Sequence, residues 1–514
     1  MTTEVTTPGV PLLQMRGITT RFPGVVANDD VDFDVQAGEV HALLGENGAG
    51  KSTLMRVLFG LQRAESGEVL LDGQPLRVRS PSDAIAAGIG MIHQHFMLVP
   101  TLTVAENVAL GQGTNPFGSP GIGAIADRLD ELSAEYELGV HPRAKVWQLS
   151  VGERQRVEIL KAVFHETRLL VLDEPTAVLT PQEVDRLLAT LRRMADAGRG
   201  LVFISHKLHE VMAFADRITV MRDGVVTGEV LPGNTTRQEL ADLMVGRPVK
   251  LAPERAARAP GDVVLSVHGV TVVGDRGQTA VDEASLDVHA GEVLAIAGVS
   301  GNGQRELAEA IAGLRPSVAG TVTIGSVDIE GASPRHCREC GLAYVPEERM
   351  RDGAIGSFTV WENLLLLDHG RSPYARRGFL RRGAIRQHAE QLVREFAVRT
   401  PGLDAQTRTL SGGNIQKLIM AREMTSAQRV LVASQPTRGV DIGAAEYIHA
   451  RLMSARDAGL AVLVISEDLD EVLALSDRVA VMFAGRIVGT LDRSACTSRR
   501  LGMMMAGAGD PGPN

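Results

Sequence analysis

The sequence predicts an α/β protein made of two tandem copies of one domain, each with a mixed or parallel sheet core and a helical subdomain. Three observations carry that expectation. The chain has 514 residues, too many for one hydrophobic core, because single cores stop growing at roughly 250–300 residues. It repeats itself: Gly38-Glu39-Val40 recurs as Gly291-Glu292-Val293, Gly88-Ile89-Gly90 as Gly341-Leu342-Ala343, and Asp216-Arg217-Ile218 as Asp477-Arg478-Val479. Finally, short apolar β-prone runs alternate with helical stretches, the pattern of a parallel sheet covered on both faces. Residues 40–44, 169–172 and 201–204 are such runs.

The repeat fixes the organisation. The spacing between copies lengthens downstream, most simply through an insertion in the second copy around residues 371–382. The first domain is expected over residues 10–250 and the second over 263–506, with a linker at 251–262 and a Gly/Pro-rich disordered tail at 507–514. Pro253, Pro260 and Gly261 interrupt the join, which is short for a linker.

Composition excludes several classes. The formal net charge of -9 argues against a nucleic-acid partner, which would call for a basic stripe. Hydrophobic residues make up 44%, but no apolar run reaches the ~18 residues of a membrane span. The first eleven residues lack the basic and apolar regions of a secretory signal. Three cysteines make no disulfide framework, and Cys337 and Cys340 read as small residues on a surface helix rather than a metal or redox pair.

The first chemical motif is Gly45-Glu46-Asn47-Gly48-Ala49-Gly50-Lys51-Ser52, which fits G-x-x-x-x-G-K-[ST] in full. It follows an apolar run and opens a helix, so backbone N–H groups and the helix dipole converge on phosphate. Gly45, Asn47, Gly48, Gly50, Lys51, Ser52 and Thr53 are the expected nucleotide contacts, with Lys51 on the phosphates and Ser52 on Mg²⁺. Residues 169–172 then end in Asp173-Glu174. An Asp-Glu-Pro could simply begin a loop. After an apolar strand, with a phosphate loop upstream, Asp173 reads as an Mg²⁺ ligand through water and Glu174 as general base.

These two motifs alone admit many P-loop nucleoside triphosphatases. The discriminating stretch is Leu410-Ser411-Gly412-Gly413-Asn414-Ile415-Gln416, just upstream of the second copy's carboxylate position, which resembles the LSGGQ signature of ABC ATPases. Gln94 resembles that family's Q-loop, also a metal-side ligand, and His206 its switch histidine. Phe22 sits where the family stacks an aromatic on adenine, and Asp441 resembles the D-loop aspartate. The resemblance spans roughly residues 12 to 505 and implies two P-loop ABC ATPase domains of the fused-tandem importer branch.

Aligned copy on copy, the losses sort themselves. Lys51 becomes Gln304, Ser52 Arg305, Asp173 Ser434, Glu174 Gln435, Gln94 Glu347 and His206 Glu467, and no aromatic replaces Phe22 between residues 270 and 281. The signature shows the reverse: Val151 interrupts Leu149-Ser150-Val151-Gly152-Glu153, and Thr180 stands where the second copy has Asp441. The family pairs one domain's phosphate loop with the other domain's signature. The resemblance therefore implies one competent composite site, built from the first copy's loop and the second copy's Ser411, Gly412, Gly413 and Asp441, and one degenerate site.

The resemblance implies an ATPase with ATP and Mg²⁺ as cofactors, peripheral on the cytoplasmic face of the membrane. Its expected partners are two transmembrane permease subunits and, indirectly, an extracytoplasmic substrate-binding lipoprotein, with no direct contact to the transported solute. Phe96, Met97 and Leu98 form an apolar step near the Q-loop that reads either as a permease contact or as core. Residues 93–100, 173–180 and 433–439 lean toward nucleoside importers over simple-sugar (ribose, galactose, xylose) importers. A tandem ABC protein acting on ribosomes is the alternative of another class, disfavoured by the short linker, acidic charge and degenerate site.

Overall fold

The computed structural model describes residues 10–93, 96–110, 121–176, 179, 181–205, 207–250, 252–253, 255 and 259–509, apart from the side chains of Val151, Pro181 and Gln182. Contacts divide the chain into two compact units, residues 1–249 and 250–514.

Among the described residues, unit one holds two sheets. Its six-stranded sheet runs in the order Val225–Val230, Arg217–Arg222, Val40–Gly45, Gly200–Ile204, Leu169–Asp173, Ile89–Ile92. Only the edge pair Val225–Val230 with Arg217–Arg222 is antiparallel; the other pairs are parallel. The apolar runs form the middle of this sheet because they are buried on both faces, each fully buried Val, Leu or Phe contributing roughly 1.5–3 kcal/mol.

The second sheet, antiparallel and four-stranded, joins Leu13–Phe22 to Val25–Val35 and to Ser66–Leu71, which pairs in turn with Gln74–Pro75. Sequence reasoning did not anticipate it as a separate layer: these strands alternate buried and exposed residues only in part, as over residues 31–35, and lose the period at Ile18, Thr19 and Thr20, which are all buried. Helices Val104–Ala109, Ile122–Glu135 and Val151–Phe164 form the helical subdomain.

Unit two repeats this plan. Its six-stranded sheet orders Leu342–Val345, Val430–Ser434, Ala461–Ser466, Val293–Ala297, Arg478–Phe483, Arg486–Asp492. Helices Val360–Leu365, Arg382–Glu395 and Gly412–Ser426 answer to the helical subdomain. Even the caps recur: Thr103 with Glu106 and Thr359 with Glu362 both make capping boxes. Residues 371–382 contain a short hairpin, Ala375–Arg376 paired with Phe379–Leu380.

One expectation needs correction. Cys337 is not a surface residue; it is fully buried in the unit-two core, on the inner face of Pro334–Glu339. A six-residue helix gives too little periodicity to reveal its inner face. Cys340 is half-buried, with its Sγ 3.7 Å from His336 Nε2. Among the described residues no helix is long and apolar enough to cross a membrane.

Candidate nucleotide site

The phosphate loop leaves the buried strand Val40–Gly45 and turns into helix Lys51–Leu58 through Gly50, whose φ of 100° lies in the left-handed region. A Cβ on Gly50 would overlap the Ala27 carbonyl oxygen and stand 2.7 Å from Asn28 Nδ2, so only glycine fits. Asn28, fully buried, donates to Gly50 O at 3.2 Å and braces the loop from the antiparallel sheet. Sequence reasoning missed Asn28, since a lone asparagine in a strand gives no signal. At Gly48, by contrast, an added Cβ would meet nothing within 4 Å, so the loop's rim is an open cradle.

Lys51 folds its Nζ into that cradle and donates to Gly45 O (2.6 Å) and Glu46 O (3.0 Å). Burial lowers its pKa from the ordinary value, opposed by the charges of Glu174, Asp173 and Glu46. Ser52 is exposed and Thr53 half-buried beside it, while Asn47 and Gly48 are exposed on the rim. Phe22, 41% exposed, ends the hairpin strand whose partner carries Asn28.

Asp173 ends strand Leu169–Asp173, one strand away from the phosphate-loop strand. Between them lies Gly200–Ile204, the strand that leads toward His206. Burial, then the neighbouring Glu174, push the Asp173 carboxyl above its usual range, against Lys51, His93 and Arg56. Thus Lys51, Asp173 and Glu174 share one field. Glu174 takes φ 51°, a left-handed position for a non-glycine residue, and its N–H donates to Ile204 O at 2.9 Å. Gln94 and His206 lie outside the described residues, as does Thr180.

The donor set suits Mg²⁺, a hard cation that takes oxygen ligands. A half-buried carboxylate at Asp173 and an exposed hydroxyl at Ser52 are such ligands, and the open rim at Gly48 leaves room for phosphate.

Unit two keeps the backbone of this site and fills its interior. Gly303 repeats φ 100° and Gln435 repeats the left-handed φ, at 48°. Gln304 Nε2 donates to Val299 O at 3.0 Å, in the place where Lys51 bonds Glu46 O, with a neutral amide where phosphate needs a cation. Arg305 turns away: it donates to Glu309 at 2.7 Å and to Asp275 at 3.1 Å, and Arg315 grips the same two carboxylates. Asp275 lies in the hairpin corresponding to the one that bears Phe22 in unit one, so an ionic clasp stands where unit one has an exposed aromatic ring. Glu347 ion-pairs with Arg438.

The signature loops differ in charge. In unit one, Ser150 and Glu153 form a capping box, with Glu153 accepting from Ser150 N at 2.8 Å. A Cβ on Gly152 would overlap Glu183 Oε1, so a second carboxylate flanks the same helix start. Both carboxylates oppose an anion at that helix N-terminus. In unit two, Asn414 replaces Glu153, and its Nδ2 donates to Ser411 Oγ at 2.8 Å. Ala444 replaces Glu183, and Ser411 caps no backbone N–H of its helix. Arg349 stands over this loop, where a Cβ on Gly412 would meet its Nη1 at 2.9 Å. Asp441 caps helix Ile442–Asp457 through Ala444 N at 2.6 Å and lies 3.2 Å from a Cβ built on Gly413. Ser411, Gly412, Gly413 and Asp441 are therefore brought together within unit two. Glu183 and Arg349 had no local sequence signal.

The profile of the ABC transporter family matches residues 28–177 and 281–438. The chain belongs to the ABC transporter family. It carries two copies of the family's ATP-binding domain and is an ATPase coupled to transport. It is 46% identical to the glucose import ATP-binding protein TsgD13 of Haloferax volcanii, over 97% of this chain and 96% of that protein. It is 45% identical to the guanosine import ATP-binding protein NupO of Bacillus subtilis, over 97% and 98%. A solved structure of the RNase-L Inhibitor shares the fold with a TM-score of 0.64 at 19% identity, covering 96% of this chain and 92% of that one.

Proposed function

We propose that this ABC importer ATPase drives uptake of a nucleoside, through one competent and one degenerate composite ATP site. The observation that carries the reading is the sorting of parts. Unit one has the cationic phosphate loop and paired carboxylates, with a signature flanked by Glu153 and Glu183. Unit two has a filled phosphate loop and a signature free of both carboxylates. If each site joins one unit's phosphate loop to the other's signature, every intact part belongs to one site. Independent decay would scatter the losses.

In this mechanism the Gly45–Gly50 loop and Lys51 hold the phosphates of ATP, and Phe22 stacks on its base. Ser52, Gln94 and Asp173 would hold Mg²⁺, which would supply positive charge to offset that of the phosphates. Glu174 polarises the attacking water, His206 positions the γ-phosphate end, and Ser411, Gly412, Gly413 and Asp441 close the site from the second copy. Closure on ATP and release after hydrolysis form a two-state element that the γ-phosphate biases.

That motion needs a permease to act on. Met97 is 66% exposed and Val99 41%, with Phe96 and Leu98 half-buried, so the apolar step is not core. Trp147, 58% exposed, lies alongside, its backbone N–H donating to Pro100 O at 3.0 Å. An apolar surface of this kind suits two permease subunits on the cytoplasmic membrane face, supplied by an extracytoplasmic binding protein.

The nucleoside assignment rests on the stretches at residues 93–100, 173–180 and 433–439 and on the likeness to the guanosine import protein. The glucose import relative supports a second reading, a simple sugar. Side-by-side uptake of labelled nucleosides and sugars in a deletion strain carrying wild type or Glu174→Gln separates them. Nucleoside uptake restored by wild type alone supports the proposal; sugar uptake restored instead supports the second reading.

A further inference from the structure

The hairpin of residues 371–382 concentrates two properties that the ATPase reading does not use. Its second strand leaves the consecutive residues Phe379 and Leu380 in solvent, 78% and 49% exposed. The surrounding stretch, residues 371–386, contains six arginines and no Asp or Glu, in a chain whose net charge is -9. Arg371 pairs with Asp368 and Arg386 with Asp404. Among the described residues Arg376, Arg377, Arg381 and Arg382 make no ion pair.

The hairpin is held in one shape. Arg376 pairs with Phe379 across a two-residue turn, Arg377 and Gly378, with φ of 52° and 83°. Two positive φ values are the signature of the tight turn that matches strand twist. At the base, Arg381 N donates to Tyr374 O at 2.8 Å, and the Tyr374 ring packs on His388 of the following helix, centroids 4.9 Å apart. The apolar tip and its cationic collar are thus presented together.

We propose that this hairpin is a membrane-contact element that docks on a bilayer surface carrying anionic lipid headgroups. Phe379 and Leu380 enter the interface between headgroups and acyl chains, and the four unpaired arginines bond lipid phosphates through their planar forks. Neither signal alone gives firm binding, but the combination of an apolar insert and a basic patch does. A nucleic-acid partner fits less well: leucine offers no face for base stacking, and the chain as a whole is acidic, with a net charge of -9.

The test is sedimentation of the full chain with phosphatidylcholine vesicles, with and without phosphatidylglycerol, followed by ATPase assay of each variant. Wild type is expected to partition onto the anionic vesicles, less so at high salt. A charge near an anionic surface is worth about 5-fold in partition, so Arg376→Gln with Arg377→Gln should weaken binding about 30-fold. Phe379→Ser should weaken it too, and both variants should keep wild-type ATPase activity, which shows them folded. The proposal is overturned if wild type ignores anionic vesicles, or if the arginine variant binds them as wild type does. It is equally overturned if the hairpin substitutions spare vesicle binding but abolish retention on single-stranded DNA or co-purification with the permease. Vesicle binding is independent of the cargo, so failure here leaves the importer reading untouched.

Discussion

Thr176 donates a 2.5 Å hydrogen bond to Glu210, a carboxylate only 3% exposed, and so ties the loop after Glu174 to the helix that follows His206. Lys207 adds a second tie, with its Nζ 3.2 Å from Thr176 O and 3.3 Å from Glu210. The loop carrying the proposed general base and the segment carrying the proposed switch histidine are thereby one mechanical piece. Thr176→Val removes the hydroxyl and leaves a buried carboxylate short of a partner, at a cost of about 1–3 kcal/mol. ATP hydrolysis should fall while nucleotide affinity stays near wild type, because the phosphate loop is untouched. Thermal melts and fluorescent-nucleotide titration check both halves of that expectation.

Glu174→Gln should abolish turnover while preserving ATP binding, since the amide keeps the shape but cannot take a proton. A positioned general base contributes about 10²–10⁴-fold, which sets the expected loss. The reciprocal change, Gln435→Glu, should restore nothing. Gln304 still fills the second phosphate loop and Arg305 is still clasped by Glu309 and Asp275. Steady-state phosphate release from the two variants decides it; activity that depends on Gln435→Glu would contradict the degenerate site.

How far the sequence revealed this site depends on where each part lies. The phosphate loop, the two carboxylates and the signature are contiguous motifs, and their strands are continuous apolar runs, so residue order alone located them. Asn28, Glu183, Arg349 and the Asp275 clasp were invisible because they reach the site from distant segments, through packing that no local pattern encodes. Cys337 was misplaced for a related reason: six residues of helix do not reveal which side faces the core. The antiparallel sheets were missed because their alternation is broken by register shifts, as between Met15 and Ile18.

The two signature serines should respond differently to the same substitution. Ser150 accepts from Glu153 N in a capping box, so Ser150→Ala should cost about 0.5–2 kcal/mol of stability and leave turnover per folded molecule unchanged. Ser411 caps no backbone N–H, so Ser411→Ala should be nearly neutral for stability and should cut ATPase activity strongly. Paired melting curves and turnover assays read this crossed pattern. Equal effects on turnover would contradict the single competent site.

The pH dependence of unit two should report on Glu471. Burial alone would raise the pKa of this carboxyl, but hydrogen bonds from His449, Ser466 and Thr437 and the charge of His449 hold it below the ordinary value of 4.5. His449 Nε2 is 3.0 Å from Oε1 and Thr437 Oγ1 2.5 Å from it. A carboxyl whose pKa is depressed on folding stabilises the folded state fully above its unfolded value. That contribution is lost as pH falls from 4.5 through the folded value. Glu471→Gln, which cannot ionise, should therefore melt below wild type at pH 7, and the gap should close as the pH drops below 4.5. Calorimetric melts of both proteins across that range test the sign: a gap that widens on acidification would mean that Glu471 is held protonated in the fold.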